Sequence, residues 1–372
     1  MSKNVKSIIF FLFHFNKGGG AEEVVTNLAN EMAKQGIRVR VLCVKNGTMF
    51  PELDQTVEQI HCDSNYRKAF LCLMKSFKTF DVLFTTQRFA SVFAYIAKRI
   101  SFSKIKFVLR EAGIDFQKTL DKYTGYKKIL LTKLLICAYN RCDLLIVNSN
   151  RTHLDLITPN VVDENKKNVV LINNPIDHDK INRLSEKKNN INIVFAKYNI
   201  LSIGRLVPNK QMDKVIKAFY RLNRKLQNQS QLIIIGRGDE ELALKNLVKE
   251  LKIDDKVVFI EFTNNPYAIL KKCQLLVLAS KREGFGMVVL EALVLGIPVV
   301  VNSNDSGPKD IVMGGKYGYL FNNDDLDDLS KKIEKGLLNS KFDSEELIKR
   351  SKKYGKQKIT SEYIKNIFDW TL

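Results

Sequence analysis

Glu283-Gly-Phe-Gly-Met-Val-Val-Leu-Glu291 lies between an apolar run, Leu275 to Ala279, and an apolar helical pattern that continues to Leu295. Glycines that follow a short buried run and precede a helix belong at the carboxyl edge of a parallel sheet. The mouth of such a helix presents backbone N–H groups and the positive end of a dipole, which suits a phosphate or a sugar oxygen. Glu283 falls just before that mouth. Glu291 falls about five residues inside, roughly 7 Å along the axis at 1.5 Å per residue. A ligand anchored at the mouth can touch both carboxylates.

The same alternation of short apolar runs and helical patterns fills the rest of the chain and argues for parallel sheets covered by helices. Strands are expected at Ile8–Phe13, Val39–Val44, Val82–Thr85, Lys106–Leu109, Leu144–Val147 and Val169–Ile172, then at Ile200–Ile203, Leu232–Ile235, Val257–Ile260, Leu275–Ala279 and Pro298–Val301. A polar stretch without apolar periodicity, Asn182 to Asn192 (NRLSEKKNNIN), reads as a surface linker. These features predict an α/β fold of two Rossmann-like, doubly wound parallel-sheet domains, residues 1–185 and 186–350, facing across a cleft. The helical tail 351–372 is expected to pack back across the junction.

With 372 residues, the chain is long enough for two domains that each bury a core. Its six cysteines form no Cys-x-x-Cys pair and no metal spacing with the four histidines, so reduced thiols are expected. No run reaches the roughly 18 apolar residues that a spanning helix needs. The run Ser7 to Phe13 after Lys3 and Lys6 reads as a first buried strand and not as a signal peptide, which makes the expected location cytoplasmic.

The net charge of +20 is uneven, because residues 65–142 hold sixteen Lys/Arg against four Asp/Glu. Within them Tyr126 to Arg141 (YKKILLTKLLICAYNR) mixes basic residues with leucines at helical spacing. That composition favours contact with an anionic membrane surface, giving a peripheral protein on the inner face of the membrane. It lacks the recognition motifs and aromatic interleaving of a nucleic-acid binder, and no nucleic-acid partner is expected.

Further loops follow strands, as they do in ligand-binding doubly wound sheets. Gly18-Gly19-Gly20-Ala21-Glu22-Glu23 lacks both the third glycine of a dinucleotide fingerprint and the Gly-Lys-Ser/Thr of a P-loop. Its backbone can nonetheless approach a phosphate or sugar closely. After the first strand of the second half come Gly204-Arg205-Leu206 and Lys210, and after the next strand Gly236-Arg237-Gly238. A guanidinium and an ammonium five residues apart can grip a diphosphate from two sides and stabilise charge on a departing one without a metal.

The ordered set Gly19-Gly-Ala-Glu22, Asn174-Pro-Ile-Asp177, Gly204-Arg-Leu206 with Lys210, Gly236-Arg-Gly238, Glu283-Gly-Phe-Gly with Glu291, and Gly296-Ile-Pro-Val-Val resembles the family-4 retaining glycosyltransferases of the GT-B fold. The likeness spans nearly the whole chain and is densest after residue 174. It implies that the second domain holds a nucleotide-activated sugar and the first holds the acceptor. Arg205 and Lys210 would then bind the donor diphosphate. Glu283 would meet hydroxyls of the transferred sugar, the backbone of Gly284, Phe285, Gly286 and Met287 would meet sugar and phosphate oxygens, and Glu291 would meet the ribose. Gly19, Gly20 and Gly236 would approach the donor through their backbone, and the segment Phe262 to Tyr267 would lie near the base.

The resemblance also implies retention at the anomeric carbon, with the departing diphosphate deprotonating the acceptor, so that Glu283, Arg205 and Lys210 carry the chemistry. It implies a UDP-sugar as substrate with neither cofactor nor metal, and Asp325-x-Asp327 fits the first turn of a helix better than a metal site. Relatives often carry a histidine after the fourth strand of the first domain. Here Arg110-Glu111-Ala-Gly113 stands there with Asp115 nearby, which makes Arg110 and Glu111 acceptor-side candidates, and His14, after the first strand, is a third. The expected activity is hexosyl transfer to a lipid-linked saccharide in the synthesis of capsule, lipopolysaccharide or another surface polysaccharide. The alternatives are a UDP-sugar epimerase, a transferase with a soluble acceptor, and a non-catalytic sugar-nucleotide or membrane-binding protein.

Overall fold

The computed structural model describes residues 5–16, 19–45, 52–113, 124–158, 160–163, 166, 168–188, 191, 193–226, 229–261, 263–304 and 306–369. The chain divides into two compact units, Met1–Ile176 with Tyr354–Leu372, and Asp177–Lys353.

In the first unit seven parallel strands are ordered β3-β2-β1-β4-β5-β6-β7. They are β1 (Ser7–His14), β2 (Arg38–Lys45), β3 (Glu58–His61), β4 (Val82–Thr85), β5 (Lys106–Glu111), β6 (Leu144–Val147) and β7 (Val169–Leu171). Strands covered on both faces must be apolar throughout, and β1 shows this in its buried run Ile8–Leu12. Ile9 and Phe11 point to a core shared with the helices Tyr66–Ser76, Arg88–Ile100 and Gly125–Arg141. Ile8, Phe10 and Leu12 point the other way, onto the helices Gly20–Lys34 and Lys356–Phe368. The last of these helices thus returns from the end of the chain to cover the first sheet through Ile359, Tyr363 and Ile367.

In the second unit six parallel strands are ordered β10-β9-β8-β11-β12-β13. They are β8 (Tyr198–Ile203), β9 (Ser230–Ile235), β10 (Val257–Ile260), β11 (Leu275–Leu278), β12 (Val299–Asn302) and β13 (Tyr319–Phe321). Both sheets wind outward from a central pair, so each has one point where successive crossovers leave in opposite directions. That point lies between β1 and β4 in the first unit and between β8 and β11 in the second. Doubly wound sheets bind ligands outside the carboxyl ends of the strands at such points.

Two edge strands, β3 and β13, stand outside the expected set: β13 is an apolar run of only three residues, Tyr319–Phe321, and β3 (Glu-Gln-Ile-His) lacks the apolar run that marks the others. Glu58 fixes β3 from its side chain, accepting from Arg38 Nε and Arg40 Nε, each at 2.8 Å. The polar stretch expected as a linker begins instead as the last turn of a helix, His178–Ser185. Asp177 caps that helix by accepting from the Lys180 amide, and Ile181 is buried. The helix packs against Tyr267–Leu270 and Met287–Val294, which places it within the second unit.

Arg110 near the end of β5 is 1% exposed. Its guanidinium donates to Tyr363 Oη at 3.0 Å, Thr86 Oγ1 at 2.7 Å and Asn174 Oδ1 at 2.6 Å. A buried cation needs its donors satisfied, and these three acceptors tie β5 to the end of β4, to the 174–176 segment and to the C-terminal helix. Next to it, Ile176 and Tyr354–Lys356 are joined by backbone bonds, Ile176 N to Tyr354 O at 2.9 Å and Lys356 N to Ile176 O at 3.0 Å. Tyr363→Phe is expected to loosen this helix by about 1.5–3 kcal/mol, the worth of a hydrogen bond to a charged group. Amide exchange across 356–368 reads the effect, and unchanged protection would contradict it.

Candidate active site

At the second unit's switch point the loops after β8 and β11 are tied by one residue. Asn209 O accepts from the Lys281 amide at 2.8 Å, and Asn209 Nδ2 donates to Arg282 O at 2.8 Å. This tie sets the short helix Pro208–Lys210 against the 281–283 segment. As a result Lys210 Nζ makes an ion pair with Glu283 Oε1, and both side chains are 17% exposed. Ser280 Oγ donates to the same carboxylate oxygen at 2.8 Å. Gly204 makes room for the lysine stem, since a Cβ there would stand 3.3 Å from Lys210 Cε.

The residue after Lys210, Gln211, adopts a left-handed conformation (φ 49°, ψ 41°) and begins the helix Met212–Lys225. Its amide fits the acceptors around it, with nitrogen 2.7 Å from Ala279 O and 2.6 Å from Asn323 Oδ1. Asn302 Nδ2 donates to Ser280 O at 3.1 Å and to Asn323 Oδ1 at 3.0 Å. These amides lock the floor beneath Lys210 and Glu283.

The second glutamate sits inside the helix Met287–Val294, where Glu291 Oε1 accepts from Tyr267 Oη at 3.4 Å. Gly286 precedes that helix with φ +90°, and a Cβ there would press within 2.9 Å of Pro308 Cγ. Gly284 and Phe285 are buried beside it, and Met287 opens the helix half-buried. Gly236 permits close approach of the loops after β8 and β9, because its Cβ would fall 1.9 Å from Gly204 O. Arg205 is exposed at the same edge. The structure therefore gathers Arg205, Lys210, Gly236, Glu283 to Met287 and Glu291 at one end of one sheet. Asp325 and Asp327 serve elsewhere: Asp325 caps the helix Leu326–Leu338 through the Asp328 amide at 2.9 Å, and Asp327 pairs with Arg221.

In the first unit the acceptor-side candidates part company. Arg110 is enclosed as described above. Glu111 is 3% exposed and saturated. Its Oε1 accepts from the amides of Ala112 (3.0 Å) and Gly113 (2.6 Å), while Oε2 accepts from Arg88 Nε (3.0 Å) and Tyr139 Oη. Burial, then the adjacent Glu111 carboxylate, push the Tyr139 phenol well above its ordinary pKa. His14 ends β1 with an exposed side chain.

Gln87 holds that strand end, accepting from the amides of Phe13 (2.7 Å) and His14 (3.1 Å) and donating to His14 O (2.8 Å). Its second amide hydrogen goes to Glu22 Oε1 at 3.1 Å. Glu22 folds back over Gly19, where a Cβ would stand 2.1 Å from Oε2, while Gly20 faces open space. Gly18, Asp115 and Phe262 lie outside the described residues. Asn209, Ser280 and Gln87 carry no motif; Asn209 and Gln87 act between loops 73 residues apart, and Ser280 acts on Glu283 within one loop.

Two family models match the chain, "Glycosyl transferases group 1" over residues 184–358 and "Glycosyltransferase Family 4" over residues 18–180. A GalNAc-alpha-(1->4)-GalNAc-alpha-(1->3)-diNAcBac-PP-undecaprenol alpha-1,4-N-acetyl-D-galactosaminyltransferase of Campylobacter jejuni is 28% identical, over 92% of this chain and 92% of that one. An O-antigen biosynthesis glycosyltransferase of Escherichia coli, WclY, is 26% identical over 79% of this chain and 80% of its own. Among solved structures, the Anabaena protein HepE in complex with UDP superposes with a TM-score of 0.76 at 19% identity, covering 97% of this chain and all of that one. This last likeness speaks for the fold.

Burial raises the Glu22 carboxyl above its ordinary 4.5, against the opposing pull of its own backbone amide and of Gln87. A carboxyl raised in the folded state costs no stability below its unfolded pKa, and the cost appears as pH rises through the folded value. Glu22→Gln is therefore expected to gain thermal stability relative to the parent at pH 7 compared with pH 4. An equal difference at both pH values would contradict this electrostatic account.

Proposed function

The chain belongs to the group 1 / family 4 glycosyltransferases, and from that premise we propose a retaining enzyme that moves a hexose from a UDP-sugar to a lipid-linked glycan in bacterial surface polysaccharide synthesis. The observation that carries this reading is the Lys210–Glu283 pair, held by Asn209 and Ser280 at the second sheet's switch point. An ammonium has three N–H donors, so Lys210 can keep Glu283 and still meet a phosphate oxygen. Arg205, exposed at the same edge, supplies a second cation. Glu283 then faces the sugar end of a donor and Glu291, steadied by Tyr267, the ribose end.

In the transfer, the bond between the anomeric carbon and the diphosphate oxygen breaks while the acceptor oxygen bonds to that carbon on the same face. The acceptor's hydroxyl proton passes to the departing diphosphate. Charge grows on the leaving group, and two cations beside a helix N-terminus stabilise it in proportion. This arrangement needs no bound metal. The lipid-linked acceptor is carried over from the Campylobacter relative, whose name specifies a PP-undecaprenol glycan.

Peripheral membrane contact fits the start of the helix Gly125–Arg141, where Tyr126, Ile129 and Leu130 are 74%, 58% and 56% exposed among Lys127, Lys128 and Lys133. Such a surface suits the interface of an anionic bilayer. Among the described residues, no helix is long and apolar enough to cross a membrane.

Lys210→Ala is expected to weaken UDP binding by about 1.5–3 kcal/mol, roughly 10- to 150-fold, with the circular dichroism unchanged. Undiminished affinity would sink the assignment of the diphosphate site. Transfer is expected to survive EDTA, and loss restored by a divalent cation would overturn the metal-free reading. The triple change Tyr126→Ser, Ile129→Ser, Leu130→Ser is expected to abolish sedimentation with phosphatidylglycerol vesicles at low salt. Full retention of vesicle binding would move the contact elsewhere.

A further inference from the structure

The first unit's switch point, between β1 and β4, also presents a carboxylate. Glu22 stands there half-buried, and the partners that hold it are neutral: the Gln87 amide and its own backbone N–H. Three separate features place it. Gly19 has no side chain to block it, Gln87 aims it, and Gln87 is itself fixed by three bonds to the backbone of Phe13 and His14. Gln87 commits both amide hydrogens and its oxygen to this task.

The contrast with Glu111 is informative. A carboxylate offers about four lone-pair sites. At Glu111 two backbone amides, a guanidinium and a phenol take them all, as a structural carboxylate requires. Glu22 Oε1 accepts from Gln87, whereas Oε2 lies over a glycine at the open edge of the sheet. A half-buried carboxylate with no cation beside it among the described residues costs the fold stability, and proteins keep such costs where function needs them.

We propose that Glu22 is an acceptor-binding residue, its Oε2 accepting a hydrogen bond from a sugar hydroxyl of the glycan acceptor, with Gln87 as its positioning residue. A neutral hydroxyl is the ligand chemistry that fits. A diphosphate would meet like charge at this point, and the mouth of the helix Gly20–Lys34 is already covered by the chain's own carboxylate. The assignment rests on the proposed transferase activity, with the acceptor held by the first unit.

The test uses the full chain with a panel of UDP-N-acetylgalactosamine, UDP-N-acetylglucosamine, UDP-galactose and UDP-glucose against n-decyl glycosides of the same sugars. For the pair with the fastest transfer, Glu22→Ala is expected to raise the acceptor KM at least tenfold. The UDP dissociation constant and the rate of donor hydrolysis by water should stay within twofold of the parent. Glu22→Gln, which keeps the Gln87 bond but turns an amide nitrogen toward the acceptor, should raise the acceptor KM similarly in a chain at least as stable. An unchanged acceptor KM in Glu22→Gln, or an equal loss of UDP affinity, overturns the role. A parent chain that binds UDP yet transfers to no glycoside defeats the transferase reading, and the role of Glu22 with it.

Discussion

An ammonium and a carboxylate meet at the carboxyl edge of the second sheet. Lys210 and Glu283 are each 17% exposed, so either one alone would be a poorly solvated charge. Together they are neutral overall, and the ammonium keeps donors for a phosphate. Their meeting depends on Asn209, which bonds to the backbone of Lys281 and Arg282, and on Gly204, over which the lysine stem lies. The left-handed backbone of Gln211 then turns the chain from Lys210 into the next helix. If the two loops slipped by one residue, the cation would point away from the carboxylate and the site would lose its electrostatic centre.

The first unit divides its buried charges by task. Arg110 and the Arg88–Glu111–Tyr139 group bond to partners within the unit and fasten strands, loops and the C-terminal helix. Glu22 is placed with equal care, yet its partners are neutral and it lies at the sheet edge where ligands bind. The two units thus show the same plan, in which a glycine beside the switch point leaves room for a side chain that carries charge. On the proposed reading, the paired charge of the second unit meets a diphosphate and the charge of the first a neutral hydroxyl.

Much of this was readable in the sequence because parallel strands buried on both faces must be apolar, and the runs at β1, β6 and β9 to β12 obey that rule. The edge strand β3 escapes it because one side lacks a neighbour, so Glu-Gln-Ile-His serves where the central strands need valine and isoleucine. The start of the polar stretch 182–192 proved helical because capping by Asp177 and burial of Ile181 outweighed its polar composition. Glu283, Glu291 and Lys210 were visible through glycine-rich loops after strands. Asn209 and Gln87 were not, since an ordinary polar side chain gains such a role only when two distant loops are brought together, and Ser280 was not, since its bond to Glu283 depends on the fold of a single loop. Arg110 and Glu111 stand at the right strand end for acceptor contact, but only the packed structure reveals how completely they are enclosed.

The central claim is that Lys210 and Arg205 grip the phosphates of a nucleotide donor, and comparing UDP with uridine isolates that grip. Dissociation constants for both ligands should be measured by calorimetry on the parent chain and on the Arg205→Ala, Lys210→Ala double variant. The account predicts that UDP binds the parent at least 100-fold more tightly than uridine and that most of this advantage vanishes in the variant, with uridine affinity unchanged. Equal binding of UDP and uridine to the parent, or an undiminished advantage in the variant, would contradict it.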